Sequence, residues 1–218
     1  MLETLNWTFH FFFMSFFFVL AGVLSLRLYR DKKSWLSISR DLGLVFHERH
    51  ESRLEALIPG FELFIGGHPV QATQVLTGFY AERELTGFNW LYRADDRLQT
   101  VRGGFACVVV RLSAPQPLFQ LIGKGLIGFS QNSDRDRMLL ADEPFFSRYL
   151  LRCRDRVHAQ GMLPDRVKRL LMDQPDLWIE ISRNQVLIAH QGELTPTNLR
   201  DELDRVVGVL SLMEPLVS

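Results

Sequence analysis

One uncharged run near the amino terminus constrains this chain more than any other feature. Residues 7–26, WTFHFFFMSFFFVLAGVLSL, contain no formally charged side chain over twenty positions. A helix of about 20 residues is long enough to cross the roughly 30 Å hydrocarbon core of a bilayer. The run therefore predicts a transmembrane helix, and we assign residues 1–30 to an anchor with its flank and residues 31–218 to a soluble domain.

The charges on either side of the run predict its orientation. A basic flank follows it, made of Arg27, Arg30, Lys32 and Lys33, whereas only Glu3 and the α-amino group precede it. Because basic flanks stay in the cytoplasm, we expect the amino terminus outside and the carboxyl-terminal domain in the cytoplasm. A secretory signal peptide, the alternative, carries its basic residues before the apolar run, and here the order is reversed.

Aromatic side chains surround the predicted anchor on all sides. A helix of this kind faces lipid, and its end rings lie at the membrane interfaces. The anchor residues are Trp7, Phe11, Phe12, Phe13, Phe16, Phe17, Phe18 and Tyr29. The small residues Ala21 and Ser25, four apart, would allow a second helix to approach closely.

The overall charge excludes one class of partner. Lys and Arg together number 25, as do Asp and Glu, and the arginines between positions 135 and 169, Arg152 among them, alternate with acids. This spacing is typical of a solvated, salt-bridged surface, so we expect no nucleic-acid partner. Cys107 and Cys153 lack CxxC spacing, which predicts two reduced thiols packed in the domain.

The soluble part has a predominantly β pattern. Residues 70–80, 84–93 and 99–112 read as an antiparallel meander, and FACVVVRL in its third segment is apolar on both faces, as in a central strand. Phe88, Trp90 and Tyr92 share one face of the second segment. We therefore predict an α+β fold with a mainly antiparallel sheet, in one domain with two candidate lobes, 34–140 and 141–218.

Less regular segments complete this prediction. Trp35, Ile38 and Leu42 predict an amphipathic helix that Gly43 ends, FELFIGGHP predicts a short strand, and the prolines of residues 113–117 predict a break in the sheet. Residues 145–158 fit a helix or a strand. LWIEIS and VLIAH predict a hairpin through Arg183 and Asn184. A final helix is expected, with Thr195 as its N-cap and an apolar stripe formed by Leu199, Leu203, Val206 or Val207, and Leu210.

A glycine string is the first weak candidate for chemistry. Gly123, Lys124, Gly125 and Gly128 satisfy G-x-G-x-x-G, which binds a pyrophosphate when a strand precedes it and a helix opens after it. The residues that follow, SQNSDRD, do not predict an amphipathic helix. We therefore interpret the string as a turn, with dinucleotide binding or an anion contact through Lys124 as the alternatives.

The second weak candidate is a histidine pair. His47 and His50 stand three apart, and on one helical turn they could bind zinc. They lack the i, i+4 spacing of a zincin helix, and no cluster of ligand-type residues supplies a third ligand downstream, so a solvated charged turn is the simpler interpretation. His190 shares a face with Val186 and Ile188 and is expected to be a packed or hydrogen-bonded histidine. We predict no catalytic residues and no cofactor.

The order of several landmarks resembles a known group of proteins. These landmarks are Phe61-x-Leu63-Phe64-x-x-Gly67, Val75-Leu76-x-Gly78, Phe88-Asn89-Trp90-x-Tyr92, Thr100-Val101 and Pro117-x-Phe119-x-Leu121. The chain is similar to uncharacterised bacterial membrane-anchored proteins, with an amino-terminal apolar segment before a globular domain. That family favours an acid where Asn89 stands and a Pro-acid pair where Ile122 and Gly123 stand. The resemblance implies the inner membrane of a bacterium and carries no known activity.

Two hypotheses of function follow. The first is a non-enzymatic, single-pass membrane protein whose cytoplasmic domain is an accessory or assembly subunit, with the lipid bilayer and another membrane protein as partners. The second is a membrane-proximal ligand-binding or enzymatic domain that uses residues 123–128 or the pair His47 and His50. Lipid recognition by the basic flank is a further alternative.

Overall fold

The fold is a mainly antiparallel sheet with helices packed on it, the α+β class that the sequence predicts. The structure is a computed structural model, and it describes residues 2–49, 60–65, 68–96, 99–129, 144–174 and 176–213. In the regions next to the gaps and over residues 2–12 and 15, the backbone is described without its side chains.

The elements follow one another along the chain in this order: α1 (Leu2–Asp41), β1 (Leu44–Arg49), α2 (Glu62–Ile65), β2 (His68–Tyr80), β3 (Arg83–Asp96), β4 (Gln99–Gly123), a 3₁₀ helix (Lys124–Phe129), α3 (Pro144–Arg148), β5 (Tyr149–Cys153), α4 (Arg156–Met162), α5 (Asp165–Met172), β6 (Leu177–Gln191) and α6 (Leu199–Met213).

Strand β4 organises the sheet because it is long enough to carry neighbours on both edges. Strands β1, β2, β3 and β4 pair in chain order, which confirms the predicted meander. Beyond the last β3 pair, β5 continues along the same edge of β4, from Phe119 to Gly123. Strand β6 pairs with β4 along the opposite edge, over almost its whole length. Strands from both candidate lobes thus share one sheet, and the division into lobes stays a prediction.

The alternation of side chains along β4 buries both faces of the sheet. Ala106, Val108 and Val110 point to a first face, which is covered by the end of α1 and by α3 to α6. Phe105 and Cys107 point to the second face, which is covered by α2 and the 3₁₀ helix. A strand buried on both faces reads as a continuous apolar run, so FACVVV is central as expected.

Helix α1 is continuous from Leu2 to Asp41, and its last turns pack against β1. The Trp35 ring stacks on Phe46 of β1 at 5.4 Å, and the Lys32 ammonium binds Glu48 at 2.8 Å. Gly43, at φ +71°, ends the helix and turns the chain into β1, as the sequence predicts.

The remainder of α1 contains the predicted anchor. Over the part of the chain whose side chains the structure describes, no helix is both long enough and apolar enough to cross a bilayer. The membrane-spanning assignment of residues 1–30 therefore stays a prediction from the sequence.

Two predicted interruptions of the sheet are wrong. Residues 113–117 do not break it, since β4 runs on to Gly123, and LWIEIS and VLIAH form the single strand β6 instead of a hairpin. The prolines of β4 and Arg183 of β6, at φ +56°, face each other where the register between the strands shifts. The turn-forming residues thus mark bulges that bend a continuous two-stranded ladder.

Three further segments differ from or refine the prediction. Within FELFIGGHP, residues 62–65 form α2 instead of the predicted strand, and β2 begins at His68. Residues 145–158 are both helix and strand, since α3, β5 and the start of α4 follow one another there. The last helix begins at Leu199, and Thr195 caps the turn before it by accepting the Asn198 amide at 3.3 Å. Its predicted stripe is buried at Leu199, Leu203, Val206 and Leu210.

Candidate functional site

Five side chains on the second face form a buried polar cluster, which we call the α2 clamp: Glu62, Gln120, Arg152, Trp178 and Glu180. Arg152 Nη1 donates to both oxygens of Glu62, each at 2.9 Å. Gln120 Nε2 donates to Glu62 Oε2 at 3.1 Å and to Glu180 Oε1 at 2.9 Å. The clamp joins α2 to β4, β5 and β6.

Glu180 is the most buried charged member of the clamp. Its Oε1 also accepts the main-chain amide of Glu62 at 2.8 Å, and its Oε2 accepts the indole N–H of Trp178 at 2.9 Å. Burial raises the pKa of Glu180 above its usual range, and the negative charge of Glu62 adds to the increase, while the hydrogen bonds oppose it.

The clamp is built to hold α2. A four-residue helix offers little backbone cooperativity, so its position depends on tertiary contacts. Phe61 and Leu63 supply the apolar contacts, and Phe64 lies edge-on to Trp90 at 4.8 Å. The polar groups of the clamp bind one another at 0–12% side-chain or residue exposure, and these bonds hold α2 against the sheet.

The glycine string lies at the end of β4 and in the 3₁₀ helix, beside Asp176. The Gly125 amide donates to Asp176 Oδ2 at 2.9 Å. A Cβ at Gly123 would lie 2.7 Å from Asp176 Cβ and 3.0 Å from its Cα, and one at Gly125 would lie 2.1 Å from Oδ2. A carboxylate of the chain itself therefore occupies the place where an anion would meet this amide, which favours the turn interpretation. Lys124 and Gly128 are exposed.

We expect Gly123→Ala to lower the free energy of unfolding by about 1–3 kcal/mol, because the new methyl group meets Cα and Cβ of Asp176, which cannot rotate away. Urea unfolding followed by tryptophan fluorescence measures the loss. Gly128→Ala, in the same string but with no atom within 4 Å of its Cβ, is the matched control and should unfold like the parent. Equal stability of the two variants would contradict the close approach of Asp176.

The structure describes one of the two predicted metal ligands. His47 lies in β1, where its Nε2 is 3.2 Å from Thr77 Oγ1, and His50 lies outside the described residues. Among the described residues, no three His, Cys, Asp or Glu side chains are arranged to hold a metal ion. His47 belongs to a strand and not to a helical turn.

His190 joins β6 to α6. Its Nε2 lies 3.0 Å from Glu202 Oε2, and Arg205 Nη2 donates to Glu202 Oε1 at 3.0 Å. Burial alone would raise the pKa of Glu202, but the hydrogen bonds and charges of His190 and Arg205 outweigh it and hold this pKa below its usual range. His190 is the hydrogen-bonded histidine that the sequence predicts.

We expect Glu202→Gln to lower the free energy of unfolding by about 2 kcal/mol at neutral pH, since it removes charge-assisted bonds. A lowered folded-state pKa contributes stability above the unfolded value and loses it as pH falls through the folded value. The difference between parent and variant should therefore shrink below the ordinary glutamate pKa of about 4.3. Urea unfolding across acidic pH checks this, with Ser211→Ala, an exposed change on the same helix that removes no titratable group, as the control.

Both cysteines are free and buried, as predicted. Burial raises the pKa of the Cys107 thiol well above its ordinary value, and burial also raises that of Cys153. Thiols of this kind are poorly ionised and therefore weak nucleophiles.

The described side chains of the predicted anchor are exposed around the whole helix. Exposure is 52% for Phe13, 71% for Phe18 and 70% for Leu28, and Phe16, Phe17 and Tyr29 are also exposed. Trp7, Phe11 and Phe12 lie outside the residues whose side chains are described. In the basic flank, Arg27, Arg30 and Lys33 are exposed, and Lys32 carries the ion pair to Glu48.

Sequence reasoning missed the α2 clamp and placed Arg152 wrongly on the solvated surface. Arg152 is 3% exposed. A signal was present, because Arg152 and Glu180 each interrupt a largely apolar stretch of a strand, in YLLRC and LWIEIS. A charged residue within such a strand indicates a buried ion pair.

Comparison with known proteins gives one informative match. The chain is similar to the crystal structure of the mycobacterial trehalose monomycolate transport factor A, TtfA, with a TM-score of 0.57 and 16% identity over 86% of this chain and 92% of that chain. At this identity the comparison shows a shared fold and no more. The matched structure is that of a bacterial protein of the α+β class. No protein-family model matches the sequence, and no curated protein does either.

Proposed function

We propose that this protein is a non-enzymatic accessory subunit that α1 anchors, in a single pass, in the inner membrane of a bacterium, with its sheet domain at the cytoplasmic face. The observation that carries the proposal is the surface of α1. A helix with apolar side chains exposed on every side is stable where lipid or another helix covers it, and the uncharged run has the length of a bilayer core.

The buried polar groups of the domain support the proposal of a non-enzymatic role. The buried polar groups of the described domain serve its own packing, in the α2 clamp and in the pair of His190 and Glu202. The fold that it shares with a transport factor is in keeping with an accessory role in a membrane-related process. Its partner in this proposal is another membrane protein, bound by the domain or by α1.

Fractionation of cells that produce the full chain tests the anchor. We expect the protein in the membrane fraction, resistant to extraction by salt and carbonate, and a variant that lacks residues 2–30 in the soluble fraction. A variant with Arg27, Arg30, Lys32 and Lys33 all changed to glutamine should remain in the membrane, because these residues orient the helix and do not insert it. A parent protein that is released by carbonate would overturn the proposal.

Purification in mild detergent after crosslinking at native expression tests the accessory role. We expect a membrane protein to co-purify in stoichiometric amount with the full chain. A chain that runs alone and monomeric, with no crosslinked partner, would overturn this part of the proposal and leave the anchor untouched.

A further inference from the structure

The four cations of the basic flank have different surroundings in the structure. Lys32 binds Glu48 of β1 at 2.8 Å, so its charge belongs to the contact between α1 and the sheet. Arg27, Arg30 and Lys33 are exposed, and none of the three forms an ion pair with a residue that the structure describes. The flank thus consists of one cation that helps to hold the domain and three that face the surroundings of α1.

The three unpaired cations share one side of α1. At about 100° per residue, Arg27, Arg30 and Lys33 fall within an arc of about 120°, and the centre of this arc is about 140° from Trp35. Lys32 and Asp31, the one acid between residues 27 and 34, lie within about 60° of Trp35, which packs against the sheet. The acid and the paired lysine are therefore on the sheet side, and the unpaired cations are on the other side.

The orientation of the anchor does not require this separation of charges. The positive-inside bias depends on how many Lys and Arg residues follow the span, wherever they lie around the helix. Cations spaced i, i+3 and i+6 are successive neighbours on a helix surface, with Cβ atoms about 5–6 Å apart. Two guanidinium groups at that spacing can donate to one phosphate, whose geometry they match.

These cations also lie at the depth of the lipid headgroups in the proposed anchor. The uncharged run ends at Leu26. At about 1.5 Å per residue, Arg27 lies about 1.5 Å beyond it, Arg30 about 6 Å and Lys33 about 10.5 Å. The headgroup layer extends about 5–7 Å beyond the hydrocarbon. Side chains of a helix lean toward its amino terminus, here toward the bilayer, so the long side chain of Lys33 reaches back into this layer.

We propose that Arg27, Arg30 and Lys33 form a binding site for the headgroup of one anionic phospholipid, on the side of α1 that faces away from the sheet. This inference rests on the proposed anchor, which brings the three side chains to the headgroup layer. The lipid phosphate lies between Arg27 and Arg30, and Lys33 approaches it from the aqueous side. Because the sheet packs on the opposite side of α1, a bound lipid leaves the domain in place.

Electron spin resonance of labelled lipids tests the site. The full chain is reconstituted in phosphatidylcholine vesicles that contain a small amount of phosphatidylglycerol or phosphatidylcholine with a nitroxide on its acyl chain, and the fraction of label immobilised by the protein is measured. We expect the parent to prefer phosphatidylglycerol by about fivefold or more, and the triple variant Arg27→Gln, Arg30→Gln and Lys33→Gln to show a ratio of about one. Lys32→Gln is the matched control and should keep the preference of the parent.

A charge-conserving variant distinguishes a site from attraction by the number of charges alone. Arg27→Leu combined with Leu28→Arg moves one cation by about 100° to the sheet side, next to Asp31. We expect this variant to lose as much preference for phosphatidylglycerol as Arg27→Gln does. If it keeps the preference of the parent, or if Lys32→Gln loses as much as the triple variant, the site is overturned.

The parent protein separates a failure of the site from a failure of the anchor. If it immobilises both lipids equally, the lipid site is overturned and the anchor stands. If it immobilises neither lipid, α1 does not span the bilayer, and the anchor itself is overturned. The label is present in both leaflets, so the direction in which the chain inserts during reconstitution does not affect the result.

Discussion

Replacing Arg152 by methionine should lower the free energy of unfolding by about 3–5 kcal/mol, which is the cost of removing one partner from a buried ion pair. The Glu62 carboxylate, whose side chain is 12% exposed in the parent, would lose both hydrogen bonds to Nη1. Methionine retains much of the arginine volume, so the loss measures charge and hydrogen bonding more than packing. Urea unfolding of the full chain in mild detergent, followed by tryptophan fluorescence, gives the value.

Two further variants test whether the loss of stability comes from the ion pair of Arg152 and Glu62. Arg156→Met, on an exposed position four residues later, should unfold like the parent. Adding Glu62→Gln to Arg152→Met should recover part of the loss, because it removes the uncompensated charge. If the double variant is less stable than Arg152→Met by the full cost of Glu62→Gln alone, the two side chains do not interact and the α2 clamp is wrong.

The meander and the burial of both sheet faces could be predicted because they depend on local alternation. FACVVV is apolar at every position, and a strand of that kind must be covered on both sides. The turn at Gly43 could also be predicted, since a chain that turns sharply at the end of a helix needs a residue at positive φ. Each of these patterns lies within a few neighbouring residues, so it predicts the local structure without knowledge of which strands pair.

The length of β4 and β6 could not be predicted in this way. The prolines of residues 113–117 and the pair Arg183 and Asn184 are turn-forming residues, and each alone favours an interruption. In the structure these residues lie opposite each other, so both strands bend together and pairing resumes beyond them. Which residues lie opposite each other depends on the register between the two strands, and the local sequence of one strand does not determine that register.

The α2 clamp could not be predicted for the same reason. Glu62, Arg152 and Glu180 are far apart in the chain, and each reads as a surface charge until the strands that carry them are adjacent. Asp176 is similar, because its contact with Gly125 gives the glycine string a structural explanation that the string itself lacks. Local pattern thus predicted the framework, and side chains that join distant strands determined what the candidate sites are.

Replacing Asn89 by aspartate should lower the free energy of unfolding by about 3 kcal/mol at neutral pH, since it places a buried charge opposite acceptors. The Asn89 side chain is 2% exposed and binds the main chain of Leu194 at both ends, accepting the amide at 2.6 Å and donating to the carbonyl at 2.9 Å. Its Nδ2 also donates to Gln74 Oε1 at 3.1 Å. A carboxylate cannot donate, so the Leu194 carbonyl would lose its partner.

The pH dependence of the Asn89→Asp variant separates this mechanism from a simple loss of packing. Burial without a donor should raise the pKa of the new carboxyl in the folded state above its unfolded value of about 3.9. Stability is then greatest below the unfolded value, where the protonated carboxyl can again donate to Leu194, and it falls as pH rises through the folded value. Urea unfolding at acidic and neutral pH measures the trend, and Gln160→Glu, an exposed amide, should not show it. A destabilisation that is the same at every pH would contradict the donor role. A related protein with an acid at this position would need a different donor for the segment after β6.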